Sequence, residues 1–177
     1  MTLPRHTILL LTFLVLASTT FAAEPAVLIA RGKYSEALEA LKDAKTPQDL
    51  ANRCTAKYKL ADYAGAAADC ERAVKLEPKL RAAVKAQTSD AYYRLGTNEH
   101  LYQAVRWDRD NPLPYIELGR RALAQKDAKT ALRYLDRAVL ADPSRAEAFE
   151  LRASAAESLG RPAQARRDRE RAARLAK

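Results

Sequence analysis

The chain is short of the residue types on which most catalytic and metal sites depend. Its 177 residues include only 2 histidines, 2 cysteines and 5 glycines. His6 lies in an N-terminal apolar segment, and His100 alone cannot form a familiar triad or zinc site, so we interpret it as a solvated surface residue. No glycine-rich phosphate loop occurs, and the cysteines lack the CxxC spacing of redox enzymes. The sequence therefore predicts a protein that is not an enzyme and needs no metal or cofactor.

Long hydrophobic runs are also scarce, and the one that stands out is at the start of the chain. Ile8 to Ala17 follows Arg5 and precedes the small residues around Phe21. The run is about half of the roughly 20 residues that cross a bilayer, so a permanent anchor is the weaker interpretation. A basic start, an apolar centre and small residues at a cleavage position are typical of a secretory signal peptide. We expect residues 1–22 to be removed and an exported domain, 23–177, to reach the bacterial periplasm or the extracellular space.

A repeated segment is the strongest pattern in the rest of the chain. Tyr115 recurs as Phe149 and Gly119 recurs as Ala153, both at an offset of 34 residues. Small residues return where two helices approach closely, and an aromatic residue returns where a gap must be filled. Scarce glycine and abundant alanine also favour packed helices over sheets. The pattern predicts a stacked array of helix pairs.

Helix starts and turns divide this array into units. Thr46 and Pro47 form a predicted N-cap and first turn, and Ser144 with Glu147 forms a predicted capping box for the helix from Arg145. The predicted units are a truncated one at 31–46, a regular one at 47–78, a degenerate one at 79–111, a regular one at 112–145 and a terminal one at 146–177.

These residues resemble the tetratricopeptide repeat family, whose unit is a pair of antiparallel helices of 34 residues. The resemblance implies an all-α fold, a short right-handed superhelical solenoid of antiparallel helix pairs, and a binding role. Four positions depart from the pattern: Arg53, Lys57 and Arg169 replace apolar residues, and Arg109 replaces a closing proline. The matching positions are Tyr63, Ala66, Cys70, Ala73 and Pro78; Tyr115, Leu118, Gly119, Ala122, Ala131, Leu135, Ala138 and Pro143; and Phe149, Ala153, Ala156, Ala165 and Ala172.

The resemblance also implies a concave groove lined by the first helix of each pair. Such a groove would be aromatic and apolar at its centre, acidic at one end, and suited to a peptide or protein segment. The alternative is that its apolar members are core between repeats and its tyrosines fill space. The predicted groove residues are Tyr58, Lys85, Ser89, Tyr92, Tyr93, Ile116, Arg120, Leu123, Glu150, Ser154 and Glu157, with Thr55, Leu113 and Glu147 beside them.

The two cysteines lie at similar heights on helices that flank a turn near Leu60 to Asp62. Cys54 and Cys70 are therefore predicted to form a disulfide, as an oxidising compartment permits. Two buried free thiols and a redox-active pair are the competing interpretations. Closing a loop of this size would stabilise the fold by about 3 kcal/mol.

Charged residues are distributed unevenly along the chain. The chain has 31 basic and 22 acidic residues, with a cluster of arginines from Arg161 to Arg174. An exported protein rarely meets nucleic acid, so none is expected as a partner. The sequence predicts a non-enzymatic scaffold or adaptor for a protein or peptide. The alternative is an envelope-associated protein whose basic C-terminal helix contacts anionic lipid or polymer, although a terminal helix also needs a solvated outer face.

Overall fold

Short turns join a succession of α-helices in the computed structural model, which describes residues 24–177. The predicted signal peptide, residues 1–22, lies outside the described residues. The described part of the chain contains helices and no strand. A short 3-10 turn, Pro78–Leu80, precedes the fifth helix. The helices are α1 (Pro25–Ala30), α2 (Tyr34–Ala40), α3 (Pro47–Lys59), α4 (Tyr63–Leu76), α5 (Arg81–Leu95), α6 (Asn98–Trp107), α7 (Pro112–Ala124), α8 (Ala128–Ala141), α9 (Ala146–Ser158) and α10 (Pro162–Leu175).

Side-chain caps explain where several helices begin. Thr46 accepts a hydrogen bond from the backbone N–H of Asp49 at the start of α3, and Pro47 follows at a position where its missing N–H costs nothing. The predicted capping box at α9 is wrong. Ser144 instead donates its hydroxyl hydrogen to Asp142 over 2.6 Å, and Arg145, whose side chain makes no capping bond, holds the N-cap position. The nearby carboxylate is the stronger acceptor and takes the hydroxyl that would have capped the helix.

The helices pack as successive antiparallel pairs, α3 with α4, α5 with α6, α7 with α8 and α9 with α10. The predicted fold class, a short right-handed superhelical solenoid of helix pairs, is confirmed. A shorter pair precedes these, because α1 packs on α2 and on α3. The first unit thus has a first helix of its own, and Gly32, with a φ of +74°, makes the turn between the two helices.

The array has two layers that differ in how closely neighbouring helices approach. The inner layer consists of the first helices, α3, α5, α7 and α9, and the outer layer consists of the second helices, α4, α6, α8 and α10. Within the inner layer α3 contacts α5 and α7 contacts α9. Across residues 24–177, neighbouring outer helices make no contact of similar extent. Neighbouring helices are therefore farther apart in the outer layer than in the inner layer, as in a curved solenoid.

Close packing within the α7–α8 pair depends on Gly119. A Cβ atom at this position would lie 2.6 Å from Cγ of the fully buried Leu135. We expect Gly119→Ala to lower the free energy of unfolding by about 1 to 3 kcal/mol, because the overlap outweighs the roughly 1 kcal/mol by which alanine favours a helix. Urea denaturation measures the difference. Ser154→Ala, at an exposed position of α9, is the control and should change stability by less than about 0.5 kcal/mol.

A disulfide and a buried ion cluster join α3 to α4. The sulfur atoms of Cys54 and Cys70 are 2.09 Å apart and the two Cα atoms are 5.4 Å apart, so the predicted pairing is present. One helical position earlier in each helix, Arg53 donates two hydrogen bonds to Asp69, of 2.8 and 2.7 Å. Lys57 adds an ion pair of 2.8 Å to the same carboxylate. Arg53 and Lys57, which replace apolar residues of the repeat pattern, are therefore both partners of one buried acid.

Asp69 is ionised in this cluster because its partners offset its burial. Burial acts to raise the pKa of Asp69, but hydrogen bonds from Arg53 and Lys57 outweigh it and hold the pKa below its ordinary value. The terminal pair repeats the arrangement, since Arg152 donates hydrogen bonds of 2.9 and 2.6 Å to Asp168. An arginine–aspartate ion pair thus joins the two helices of both the α3–α4 pair and the α9–α10 pair.

Candidate partner-binding surface

The inner layer presents a mixed polar and apolar surface. On α3, Asn52 and Thr55 are partly exposed, and on α7, Leu113 and Leu123 are partly exposed. Arg120 is exposed at the boundary between α7 and α9, where its guanidinium pairs with Glu117 and with Glu147. On α9, Ser154 is exposed, and Leu151 is partly exposed and packs against the buried core. Together these side chains offer apolar contacts, hydrogen-bonding groups and one charged pair across three helices.

Two predicted groove residues are buried and are corrected. Ser89 is fully buried, where its hydroxyl donates to the carbonyl of Ala104 over 2.9 Å and accepts from Nδ2 of Asn111 over 3.0 Å. Ile116 is 2% exposed and packs in a cluster with Tyr115. Ser89 therefore ties α5 to α6 and to the start of α7, and Ile116 fills the space between α7 and its neighbours. For Ile116 the alternative interpretation, core between repeats, is the correct one.

Two further residues that were predicted to line the groove contact side chains outside it. The Tyr92 hydroxyl donates to Glu71 of α4 over 2.6 Å, and its ring stacks on His100, so Tyr92 lies toward the outer layer. Lys85 pairs with Asp108 at 3.1 Å. The hydrogen bond to Asp108 raises the pKa of Lys85 and is the largest contribution to that shift. The physical cause is the orientation of α5, which turns this face toward α4 and α6.

The remaining predicted residues lie where a partner could reach them. Glu150 and Ser154 are exposed, and Tyr93 is half-buried. Glu157, at the predicted acidic end, forms an ion pair with Arg169. Glu147 likewise pairs with Arg120. The charge gradient expected along the groove is therefore weaker than the sequence predicts.

Tyr58 links two inner helices rather than standing free. Its hydroxyl donates to Asp90 of α5 over 2.6 Å, and Arg94 donates to the same carboxylate over 3.2 Å. The Arg94 guanidinium also lies over the ring of Tyr63, 5.9 Å from its centroid. Asp90, which the sequence analysis missed, is the shared acceptor. The sequence indicated a contact of Asp90 only through its spacing of one helical turn from Arg94.

The environment of Tyr58 predicts a loss of stability at alkaline pH. Burial and the neighbouring Asp90 raise the pKa of the Tyr58 hydroxyl from 10.0 to about 12. The neutral hydroxyl contributes its full stabilisation below the unfolded pKa of about 10, and the contribution is lost as the pH rises through the folded pKa. We expect Tyr58→Phe to cost about 1 to 2 kcal/mol at pH 7 and almost nothing above pH 12, measured by urea denaturation at each pH. A cost that does not change with pH would contradict this.

In residues 24–177, histidine, cysteine, aspartate and glutamate do not gather in groups of three or more that could hold a metal ion. None of the helices in the same residues combines the length and the apolar composition that a membrane crossing requires.

Comparison with known proteins shows a likeness of fold. No family model matches the chain, and no curated protein matches it. Among solved structures, a crystal structure of MamA has 15% sequence identity, a TM-score of 0.61, and covers 85% of this chain and 93% of its own. MamA from Desulfovibrio magneticus RS-1, residues 41 to the end, has 18% identity, a TM-score of 0.59, and covers 85% of this chain and 90% of its own. At this level of identity the likeness shows the fold alone.

Proposed function

We propose that this protein is a non-enzymatic scaffold that binds a peptide or protein segment along its inner layer. The observation that carries the proposal is that the first helices α3, α7 and α9 each present exposed or partly exposed side chains in the inner layer, Thr55, Leu123 and Ser154 among them. A surface of this kind, with apolar contacts and hydrogen-bonding groups on rigid helices, suits recognition of an extended chain or a helix. Repeat arrays commonly use such curved surfaces for binding.

The chemistry of the inner layer indicates what the segment would offer. Leu113, Leu123 and Leu151 would contact apolar side chains of the segment, and Asn52 and Thr55 would bond with its backbone. The paired charges of Arg120 and Glu147 would favour a segment without strong net charge, because a charged group there would have to displace an existing partner.

In-cell photo-crosslinking tests this proposal. A crosslinking residue at Thr55, Leu123 or Leu151 should trap one and the same partner, and mass spectrometry should map all three links to one short segment. Matched probes at the exposed Lys129 and Arg133 of α8, in the outer layer, are the control. If the outer probes trap that segment and the inner probes do not, the inner layer is not the binding surface.

We also propose that the chain is exported. The N-terminal apolar segment and the Cys54–Cys70 disulfide support export, because disulfides persist in oxidising compartments. Purification from a periplasmic or secreted fraction should give a chain whose N-terminal sequence begins at Ala23. A chain recovered from the cytosolic fraction with residues 1–22 intact would contradict export.

A second candidate function rests on α10. Arg166, Arg167, Arg171 and Arg174 are exposed on this helix. This face would bind anionic envelope lipid or polymer by charge. Replacing Arg166, Arg167 and Arg171 with glutamine should abolish envelope association if this candidate is correct. The same change should leave the inner-layer crosslinks unaltered.

A further inference from the structure

Three surface recesses lie on the outer layer. The first, of about 460 Å³, lies between α4 and α6 and is lined by Trp107, Arg106 and Arg109 among others. A second, of about 370 Å³, lies between α6 and α8 and includes Arg137 and Leu140. A third, of about 480 Å³, runs along α4. The separation of the outer helices produces the first two, and the third lies on the surface of α4 itself.

Shared residues join the recesses into one feature. Arg109 lines both the first and the second recess, and Lys75 lines both the first and the third. We call the three together the outer furrow. It follows the C-terminal ends of α4, α6 and α8, on the side of the array opposite to the inner layer. It is therefore separate from the surface assigned to the proposed function.

The outer furrow carries cations that have no acidic partner. Within residues 24–177, Lys75, Arg106, Arg109 and Arg137 form no ion pair with a side-chain carboxylate. Two acids line the furrow. Glu71 accepts hydrogen bonds from the Tyr92 hydroxyl at 2.6 Å and from Nε1 of Trp107 at 3.4 Å, and Asp110 lies 3.5 Å from Nζ of Lys85. Both donors to Glu71 are neutral, so Glu71 keeps its charge. The furrow is nevertheless positive, because its lining also holds Arg72, Lys75, Arg81, Arg106, Arg109 and Arg137.

The wall of the first recess is a fixed aromatic surface. The Arg81 guanidinium lies over the Trp107 ring, 4.4 Å from its centroid, and donates to the carbonyl of Arg106 over 3.0 Å. The indole is therefore held from above by a cation and at its edge by Glu71. Val74 adds an apolar contact in the same recess. A ligand would meet apolar surface and guanidinium groups side by side.

Arg109 is also the position at which the middle unit departs from the repeat pattern. Pro78 and Pro143 follow the ends of α4 and α8 at the corresponding places. Proline there helps to end a helix, so its replacement sacrifices a stop signal. The replacement places a guanidinium where the first and second recesses meet.

We propose that the outer furrow binds an acidic peptide segment in which carboxylate side chains alternate with apolar ones. Arginine forms paired hydrogen bonds with carboxylates, so Arg106, Arg109 and Arg137 would take the acidic side chains. Trp107 and Leu140 would take the apolar side chains between them. A lipid surface fits less well, because the cations line recesses with an aromatic wall and do not lie on a flat face.

Fluorescence of Trp107 tests the proposal directly, since it is the one tryptophan of the chain. The probe is a synthetic peptide in which glutamate alternates with leucine, added to the full chain at low salt. Saturable binding should change the intensity or wavelength of Trp107 emission, and added salt should weaken it. The control peptide has glutamine in place of glutamate and should bind at least tenfold more weakly, which is about 1.4 kcal/mol.

Matched variants localise the binding. Arg106→Gln with Arg109→Gln should weaken binding of the glutamate peptide at least about tenfold, because two carboxylate contacts are lost. Lys129→Gln with Arg133→Gln removes the same charge from the outer layer outside the recesses and should change binding less than about twofold. If the first pair does not fold, Lys75→Gln with Arg137→Gln replaces it with the same expectation.

Four results would overturn the proposal. They are no saturable change in Trp107 emission with the glutamate peptide, equal affinity for the glutamine peptide, equal weakening by the control pair of variants, and no weakening by the furrow variants. A fifth concerns the class of ligand. If vesicles of phosphatidylglycerol change Trp107 emission and displace the glutamate peptide, the furrow binds a lipid surface and not a peptide.

Discussion

Asp69→Ala is expected to lower the free energy of unfolding by about 2 to 3 kcal/mol, because it removes a buried anion and leaves two partly buried cations without their partner. The side chain of Asp69 is 8% exposed and that of Arg53 is 16% exposed. Lys57 binds the same carboxylate. Urea denaturation at pH 7 measures the loss, and the loss should shrink at low pH, where the wild-type carboxylate becomes protonated.

The matched control for this prediction is Asp136→Ala. Asp136 also binds an arginine of the array, Arg152, at 3.1 Å, but its side chain is 53% exposed. A pair exposed to solvent contributes less than about 1 kcal/mol, so the control should change stability little. Equal losses for Asp69→Ala and Asp136→Ala would contradict the claim that the buried Asp69 cluster stabilises the α3–α4 pair more than an exposed ion pair does.

Removing the disulfide is the second change with a large expected effect. Cys54 and Cys70 are separated by 16 residues, and both are fully buried. Cys54→Ala with Cys70→Ala should lower the free energy of unfolding by about 3 kcal/mol through the loop entropy of the unfolded chain, with a further loss from the space that the sulfur atoms leave. Thermal and urea denaturation measure this.

Reduction of the wild-type protein provides a matched control. Dithiothreitol should destabilise the wild type by a similar amount and should leave the double variant unchanged. Cys54 is buried where α3 packs on α4, whereas Asn52 and Thr55 of α3 are partly exposed, so partner binding at temperatures well below the transition should be retained. A double variant as stable as the oxidised wild type would contradict a stabilising role for the bond.

The arrangement of helices could be predicted because the information is local. Thr46 caps α3 and Asn111 caps α7, and each cap lies next to the residue where the helix begins. The small residue at 119 and its equivalent at 153 repeat because each allows a neighbouring helix to approach. The pairing of Cys54 with Cys70 followed from the same local reasoning, since one turn fixes the relative height of the two helices.

The groove could be predicted only in part, because it depends on how each helix is rotated against distant neighbours. Counting positions along α5 placed Ser89 and Tyr92 on the groove. The structure turns Ser89 onto Asn111 and Tyr92 onto Glu71, and both contacts join segments about 20 residues apart or more. Position in a repeat therefore predicts which helix a residue is on more reliably than which side of it the residue faces.

A comparison of the inner and outer helices of the same molecule tests the central claim, that the inner layer binds a partner segment. Hydrogen–deuterium exchange of the full chain, with and without the segment trapped by the inner probes, reports protection helix by helix. We predict that protection will increase in α3, α7 and α9 and remain unchanged in α4 and α8. Protection confined to α4, α6 and α8, with none in the inner helices, would contradict the account.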